Sequence, residues 1–260
     1  MSSAAARSLL AAWDAGTTLD PAQFPLTDPD AGLALQTEIN ALRRARGERE
    51  LGMKIGFTNR SIWPLYGVHH PIWAPVWDST VVQLAQPATR VNWARHSLPR
   101  LEPEIVLELA HSPQRADPDH VFDCIGWIAH GFEIVCSPWP DWRFNGAQAM
   151  AAQGLHGALH IGPRRPRSVV SGPGQLGALR LHLSCDGQPV AEGLGSAVLD
   201  GPVQALTYLV AELLRRQIHL PPHSIITTGT LTDAQVLRPG QRWQTRLEGV
   251  DLPGLTLVTD

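Results

Sequence analysis

The sequence is poor in the features that most often announce a function. Its three cysteines, Cys124, Cys136 and Cys185, are widely separated, odd in number and free of any Cys-x-x-Cys pairing. That excludes a disulfide framework and a thiolate zinc site, and points to a reducing compartment. Neither sign of charge is in excess: 21 Lys and Arg against 24 Asp and Glu leave a net charge of −3. Such a balance gives no electrostatic footprint for nucleic acid or an anionic membrane. No apolar run reads as long enough to span a bilayer, and the Ala/Leu-rich stretch before Asp14 is too short for a signal-peptide core. There is no Gly-x-Ser-x-Gly elbow, no phosphate-binding P-loop, no internal repeat and no low-complexity tract. These absences predict a cytoplasmic globular protein. Its 260 residues, 43% hydrophobic and 17% charged, suffice for one large domain or a domain with a smaller appendage.

What is present begins with helices. Residues 4–14 carry Leu9, Leu10 and Trp13 as an apolar stripe, and Ala31 to Arg46 carries Leu33, Leu35, Ile39 and Leu42 with basic residues at its C-terminal end. Two helices cannot enclose a core, so residues 1–50 are expected to form an N-terminal helical segment and residues 51–260 a catalytic β-rich domain. Gly52 to Thr58 alternates as a strand, with Lys54 on its small-residue side. Trp63 to Trp77 has no clear period and predicts a loop lining or covering a site. Val121 to Ala129 has helix-like spacing, and Gly131 to Val135 reads as a short strand. Asp186-Gly187 marks a hairpin turn. Val203 to Arg216 is the strongest helix, and Ser224 to Thr228 is a strand delivering Thr228-Gly229-Thr230. Gly172-Pro173-Gly174-Gln175-Leu176-Gly177 has the letters of a dinucleotide fingerprint, but Ala178 to Cys185 alternates as a strand where that motif needs a helix, which rejects the nucleotide reading.

The chemistry centres on Arg100 to Leu109. Counted with a period of two, Glu102, Glu104, Val106 and Glu108 share one face, while Pro103, Ile105, Leu107 and Leu109 form an ordinary core face. Carboxylates crowded on an apolar strand repel one another unless a cation lies between them. A hard divalent ion such as Mg²⁺ meets that need with oxygen ligands; a solvated edge strand is the plain alternative. Glu133, alone among apolar neighbours, adds a further oxygen ligand from a second strand. Asp78 is a candidate acid or base, against the common use of Asp to start a turn. His69 and His70 point oppositely if extended and have no partner spacing for a metal. The hydroxyls and amides of Thr228, Gly229 and Thr230 are suited to binding a carboxylate.

Taken in order, Gly52-Met53-Lys54-Ile55-Gly56-Phe57-Thr58, Glu102-Pro103-Glu104, Phe132-Glu133-Ile134-Val135, the Asp-Gly hairpin, the Val203 helix, Thr227-Thr228-Gly229-Thr230 and Pro239-Gly240 resemble the 2-keto-4-pentenoate hydratase / 4-oxalocrotonate decarboxylase group of the fumarylacetoacetate hydrolase-like superfamily. The resemblance runs over roughly the whole chain and rests on joint order and spacing. It implies an α+β fold with a mixed β-roll core and an N-terminal helical segment. It also implies Mg²⁺ or Mn²⁺ held by Glu102, Glu104 and Glu133, with Lys54 and Asp78 catalytic and a small 2-oxo acid or dienoate as substrate. Phe144-Asn145-Gly146-Ala147 departs from the group, whose members often have an acidic residue before the Asn, so the resemblance leaves the substrate's far end open.

The activity expected is a lyase adding water to a 2-hydroxy-2,4-dienoate in aromatic-compound catabolism. A decarboxylase shares the first half of that reaction. An acylpyruvate C–C hydrolase needs a His-carboxylate pair to activate water, for which His69 or His70 could serve, although the loop around them does not otherwise resemble the lid of that branch. A catalytically silent partner subunit is the non-enzyme alternative, and it would have no use for a costly acidic cluster. Self-association, and a complex with another enzyme of the pathway, are further expectations; nucleic acid and membrane are not expected partners.

Overall fold

Alternation along Arg100–Leu109 becomes a ten-residue strand near the middle of a nine-stranded sheet in the computed structural model, which describes residues 2–260. In chain order the elements open with α1 (Ala4–Ala15), α2 (Pro29–Ala45), β1 (Glu50–Gly56), α3 (Trp63–Tyr66), β2 (Ile72–Trp77), β3 (Val81–Gln83), β4 (Ala88–Val91) and β5 (Arg100–Leu109). Next come α4 (Pro118–Asp123), β6 (Ile125–Val135), α5 (Gly146–Ala151), β7 (His156–Ile161), β8 (Arg165–Pro166), α6 (Pro173–Ala178), β9 (Arg180–Cys185) and β10 (Gln188–Leu194). The chain closes with α7 (Pro202–Arg215), β11 (Ile225–Thr230), β12 (Gln235–Val236), β13 (Arg242–Glu248) and β14 (Thr256–Thr259).

The large sheet runs β2-β1-β11-β5-β6-β7-β3, with β12 added to β5 and β8 to β6. It is mixed: β1 pairs with β11 and β3 with β7 in parallel, while β5 is antiparallel to both β11 and β6. A second sheet, β10-β9-β13-β14-β4, packs beside it. Leu101, Ile105, Leu107 and Leu109 of β5 share one core with Val203, Leu206, Leu209 and Leu213 of α7 and with Leu181, Leu183, Trp243 and Leu257 of the second sheet. Each side chain buried there contributes about 1.5–3 kcal/mol relative to exposure. The mixed sheets and N-terminal helices fit the expected α+β class.

The N-terminal helices make a second cluster. Leu9 and Leu10 of α1 and Leu35 and Ile39 of α2 pack with Ala149 and Met150 of α5 and with Val135 and Leu155. Ser3 caps α1 by accepting from the Ala6 amide, and Gly16 ends it in a left-handed turn. Asp28 caps α2, with Pro29 at its first turn and Arg43 and Arg44 in its last. This cluster meets the sheet at Ile72 of β2 and Val135 of β6.

Three expectations are corrected, and a fourth is upheld with a shift of boundary. Trp63–Trp77 is not a loop: it holds α3 and then β2, a strand buried at all six positions and antiparallel to β1. Burial on both faces removes the period of two that would have revealed it. Val121–Ala129 is not one helix, because α4 ends at Asp123 and β6 begins at Ile125, giving an eleven-residue strand in place of the short one at 131–135. A continuous apolar run does not separate a buried strand from a buried helix. The strand expected after the fingerprint-like glycines is present as β9, and only Ala178 falls instead in the short helix α6 that those glycines form, so the rejection of the nucleotide reading stands. Finally, Gly195–Arg215 is long and apolar enough, by length and composition alone, to cross a membrane; more than half of it is buried within the protein, and it includes the core helix α7.

Candidate active site

The registers of five adjacent strands bring charged side chains to one place. Glu102 of β5 lies directly opposite Glu133 of β6, and Glu104 is paired with Thr230 of β11. Lys54 of β1 is paired with Thr227 of β11, and His156 of β7 with Val135. Like charges directly opposite one another destabilise a strand pair. Here one oxygen from each of Glu102, Glu104 and Glu133 lies within 4.8 Å of the others.

Each acid is held differently. Glu104 is fully buried; its Oε2 accepts from the Gly229 amide at 2.8 Å and from the Thr227 hydroxyl, while its Oε1 is buried without a partner. Glu133, also fully buried, accepts at Oε1 from His156 Nδ1 at 2.7 Å, and its Oε2 faces Lys54 Nζ at 3.1 Å as an ion pair outside hydrogen-bond alignment. Lys54 Nζ donates to the Gly154 carbonyl at 3.0 Å. His156 Nε2 in turn meets the Thr80 hydroxyl at 2.8 Å. Gly229 has φ of +107°, and a Cβ there would stand 1.9 Å from Thr58 Oγ1, so only glycine delivers that amide to Glu104.

Electrostatics record the crowding. Burial raises the Glu102 pKa to about 7, against the pull of Lys54 and with the push of Glu133. Burial and the two neighbouring acids drive Glu104 well above the ordinary carboxylate range. Burial acts on Glu133 in the same direction, yet Lys54 and His156 together hold it down at about 2. For Lys54, burial lowers the pKa, but the three glutamates outweigh it and the ammonium is favoured. Three convergent carboxylates with one cation between them, and a buried oxygen left unpaired, form an all-oxygen donor set suited to a hard divalent ion.

A cavity of about 330 Å³ opens beside the cluster, lined by Lys54, Glu102, Gly229 and Thr230. One wall is aromatic: Phe57 stacks on Tyr66 at 5.0 Å, Tyr66 on Phe144 at 4.9 Å, and Trp142 lies 6.0 Å from Phe144. A larger cavity, about 650 Å³, lies between the N-terminal helices and the sheet and does not reach the three glutamates; its acids Asp14 and Glu48 are already paired with Arg46 and Arg43.

Not every residue singled out from sequence arrives here. Asp78 is corrected: its carboxylate is bound by the Arg49 amide at 3.0 Å and the Arg49 guanidinium at 2.9 Å, which hold its pKa below the usual range. Lys54 is in register with Ala74, so Asp78 is four strand positions further on, roughly 13 Å away. Thr228 points away from the cavity, its hydroxyl donating to the Ile105 carbonyl at 2.9 Å, while Gly229 and Thr230 line the cavity. Glu108 lies at the far end of β5 and binds His223 at 2.7 Å. His69 and His70 are exposed and away from the cavity lining. Thr227, present in the sequence motif but given no role there, and His156 both hold site carboxylates. Thr227 was legible by counting back two from Gly229; His156 sits at a strand start and gives no such signal.

Over residues 69–253 the chain matches the family profile described as fumarylacetoacetate (FAA) hydrolase C-terminal. It is 29% identical over 236 residues to 2-hydroxyhexa-2,4-dienoate hydratase of Comamonas testosteroni, covering 87% of each chain. It is 28% identical over 253 residues to 2-keto-4-pentenoate hydratase of Paraburkholderia xenovorans (strain LB400), covering 95% of this chain and 91% of the relative. Among solved structures, 4-oxalocrotonate decarboxylase from Pseudomonas putida G7, complexed with magnesium and adipate, superposes with a TM-score of 0.90 at 22% identity, over 99% of this chain and 96% of that one.

Proposed function

We propose that this chain, which belongs to the fumarylacetoacetate (FAA) hydrolase C-terminal family, is a cytoplasmic metal-dependent hydro-lyase of aromatic-compound catabolism. It adds water to a 2-hydroxy-2,4-dienoate of the 2-keto-4-pentenoate type, giving a 4-hydroxy-2-oxo acid. The observation that carries this reading is the convergence of Glu102, Glu104 and Glu133 within 4.8 Å beside an open cavity. Two relatives named as dienoate hydratases support the reaction class. In this reading Glu102, Glu104 and Glu133 hold Mg²⁺ or Mn²⁺, and the magnesium in the superposed decarboxylase supports that choice of ion.

When bound, the ion supplies Lewis-acid polarisation of the substrate's carboxylate and C2 oxygen. The protein does the rest. Gly229 and Thr227 fix one oxygen of Glu104, His156 fixes one of Glu133, and the two acids are thereby oriented before substrate arrives. The Phe57–Tyr66–Phe144 stack offers a flat wall for a planar conjugated chain and excludes water from one of its faces. Lys54, kept as an ammonium by the glutamates, is the proton donor within the cavity. Ketonisation is proton-neutral: Lys54 gives a proton to C5 and takes back the one lost from the C2 hydroxyl; water then adds across C3 and C4, its hydroxyl to C4 and its other proton to C3. Asp78, tied to Arg49, takes no part.

Incubating the Mg²⁺- or Mn²⁺-loaded protein with 2-hydroxypenta-2,4-dienoate, followed by proton NMR, should show 4-hydroxy-2-oxopentanoate. Recovery of unchanged dienoate, beyond its spontaneous ketonisation, would sink the hydratase reading. Release of CO₂ from 2-oxohex-3-enedioate would assign the chain to the decarboxylases, which the superposed decarboxylase keeps as the second reading. His69 and His70, named for the hydrolase alternative, stay outside the cavity and lend it no support. Self-association belongs to the same proposal; Leu65, Leu194 and Val236 supply exposed apolar surface for it, and light scattering after gel filtration is its check.

A further inference from the structure

The larger cavity, of about 650 Å³, has no part in the proposed reaction, yet its volume falls in the range of roughly 300–1,000 Å³ that ligand sites occupy. Its helical side is apolar, with Leu9, Leu10 and Trp13 of α1 and Ile39 of α2 as the wall. It is exposed at Val82 and Arg95 and buried at Thr80 and Cys136.

The polar lining carries an excess of positive charge. Three arginines meet two acids: Arg46 takes Asp14 at 2.7 Å and Arg43 takes Glu48 at 2.7 Å, so Arg95 has no carboxylate among the described residues. Arg43 is only 1% exposed; Glu48 binds its Nη1, and its Nε is buried with no hydrogen-bond partner. Its guanidinium lies over the Trp13 ring at 4.1 Å from the centroid, which fixes it at the edge of the apolar wall. His96 adds a neutral donor. The Cys136 thiol, pushed up by burial, keeps its proton for His96 Nδ1 at 3.4 Å, and the imidazole N–H is thereby assigned to Nε2. Guanidinium and imidazole donors beside an apolar wall are complementary to an apolar body that ends in one carboxylate. A second carboxylate would have to be desolvated against Leu9, Leu10 and Ile39, which is costly.

The cavity also borders the support of the acidic cluster. The Thr80 hydroxyl meets His156 Nε2 at 2.8 Å, and His156 Nδ1 binds Glu133 Oε1 at 2.7 Å. Trp13, on the helical wall, donates its indole N–H to the His156 carbonyl at 2.8 Å. A ligand seated between α1 and the sheet therefore touches two residues that hold His156, one through its ring and one through its backbone.

We propose that this cavity is an effector site for an amphipathic monocarboxylate of about eight carbons or more, aliphatic or aromatic, whose binding tightens the hold on the divalent ion through Thr80 and His156. The coupling rests on the proposed function, which puts the ion at the three glutamates; the binding does not.

The test begins with metal-free protein, so that no acid is held through an ion. Calorimetry compares octanoate with octanamide and 2-naphthoate with 2-naphthalenemethanol. At least one acid should bind about tenfold or more tightly than its neutral counterpart, and the pair that responds separates aliphatic from aromatic sources. Arg95→Glu, at an exposed position, should weaken the acid about three- to tenfold and leave the neutral compound unchanged. Val82→Trp, which narrows the opening, should weaken both. Mg²⁺ is then titrated with and without the saturating acid. Its affinity should rise about fivefold in the presence of the acid. Thr80→Val, which keeps the side chain's shape but cuts the hydrogen bond to His156, should remove that gain and leave the acid bound. Absence of binding, equal binding of an acid and its neutral counterpart, or indifference to both Arg95→Glu and Val82→Trp would overturn the site. An acid that binds without moving the Mg²⁺ affinity would overturn its role as an effector. If wild type binds no Mg²⁺ at all, the metal-dependent reading falls, while the metal-free titrations still decide the cavity.

Discussion

Lys54 is a buried cation among three carboxylates, and its removal separates two effects that otherwise travel together. Lys54→Met should abolish turnover, since it deletes the proton donor. It should also leave Mg²⁺ bound at least as tightly as in wild type, because the acids lose their competing positive charge. Weaker Mg²⁺ binding in this variant would mean that Lys54 builds the cluster and does not merely neutralise it. Glu104→Gln acts in the opposite direction. It replaces the acid whose Oε2 is fixed by Gly229 and Thr227 and whose Oε1 is free, so metal content measured after purification should fall to background. His156→Leu removes the hydrogen bond that orients Glu133, and Mn²⁺ affinity should weaken roughly 10–100-fold; an unchanged affinity would make His156 a packing residue. At this scale the strand period made the acids and Lys54 legible, because alternation fixes which side chains share a face. It gave no access to His156, whose role depends on β7 lying beside β6, nor to the pairing of Asp78 with Arg49 across the start of β1 and the end of β2.

Elements with a regular chemical pattern could be read directly: β5, where acids alternate with apolar residues although both faces are buried, α7 and the β9–β10 hairpin. β2, apolar at every position and buried on both faces, has no alternation to read, and the first half of β6 was lost because its apolar residues are also spaced as a helix would space them. The N-terminal helices were legible as helices, but their seat was not. Gly32 of α2 shows what holds them there: a Cβ on it would stand 2.4 Å from the Ala147 carbonyl oxygen of α5. Helix propensity alone predicts that Gly32→Ala stabilises by about 1 kcal/mol. The atom met is backbone and cannot swing aside, so the clash should win and the variant should be destabilised by about 1–3 kcal/mol. Urea unfolding measures the sign. A more stable variant would show that α2 lifts off α5 without cost, and that the close crossing is not what fixes the helical cluster against β2 and the end of β6.

The two sheets behave as one body because they share a core and because polar side chains bridge them. His130 of β6 meets the Thr245 hydroxyl of β13 at 2.8 Å, and His160 of β7 meets the Thr89 hydroxyl of β4 at 2.9 Å. His160 is buried, and burial, with a smaller push from His96, lowers its pKa to about 4. In an unfolded chain a histidine titrates near 6.5. Between those two values the unfolded state binds the proton and the folded state does not, so stability rises with pH there. The stabilisation is complete above about pH 6.5 and is lost as pH falls towards 4, at up to about 1 kcal/mol per pH unit for this one group. Urea midpoints taken from pH 7.5 to 4.5 should therefore decline, and His160→Gln, which keeps a hydrogen-bonding side chain but cannot titrate, should flatten that decline by about one proton's worth. An unchanged slope would mean that the sheets part, or the site protonates, without His160, and that the pH sensitivity of the fold resides in other buried groups.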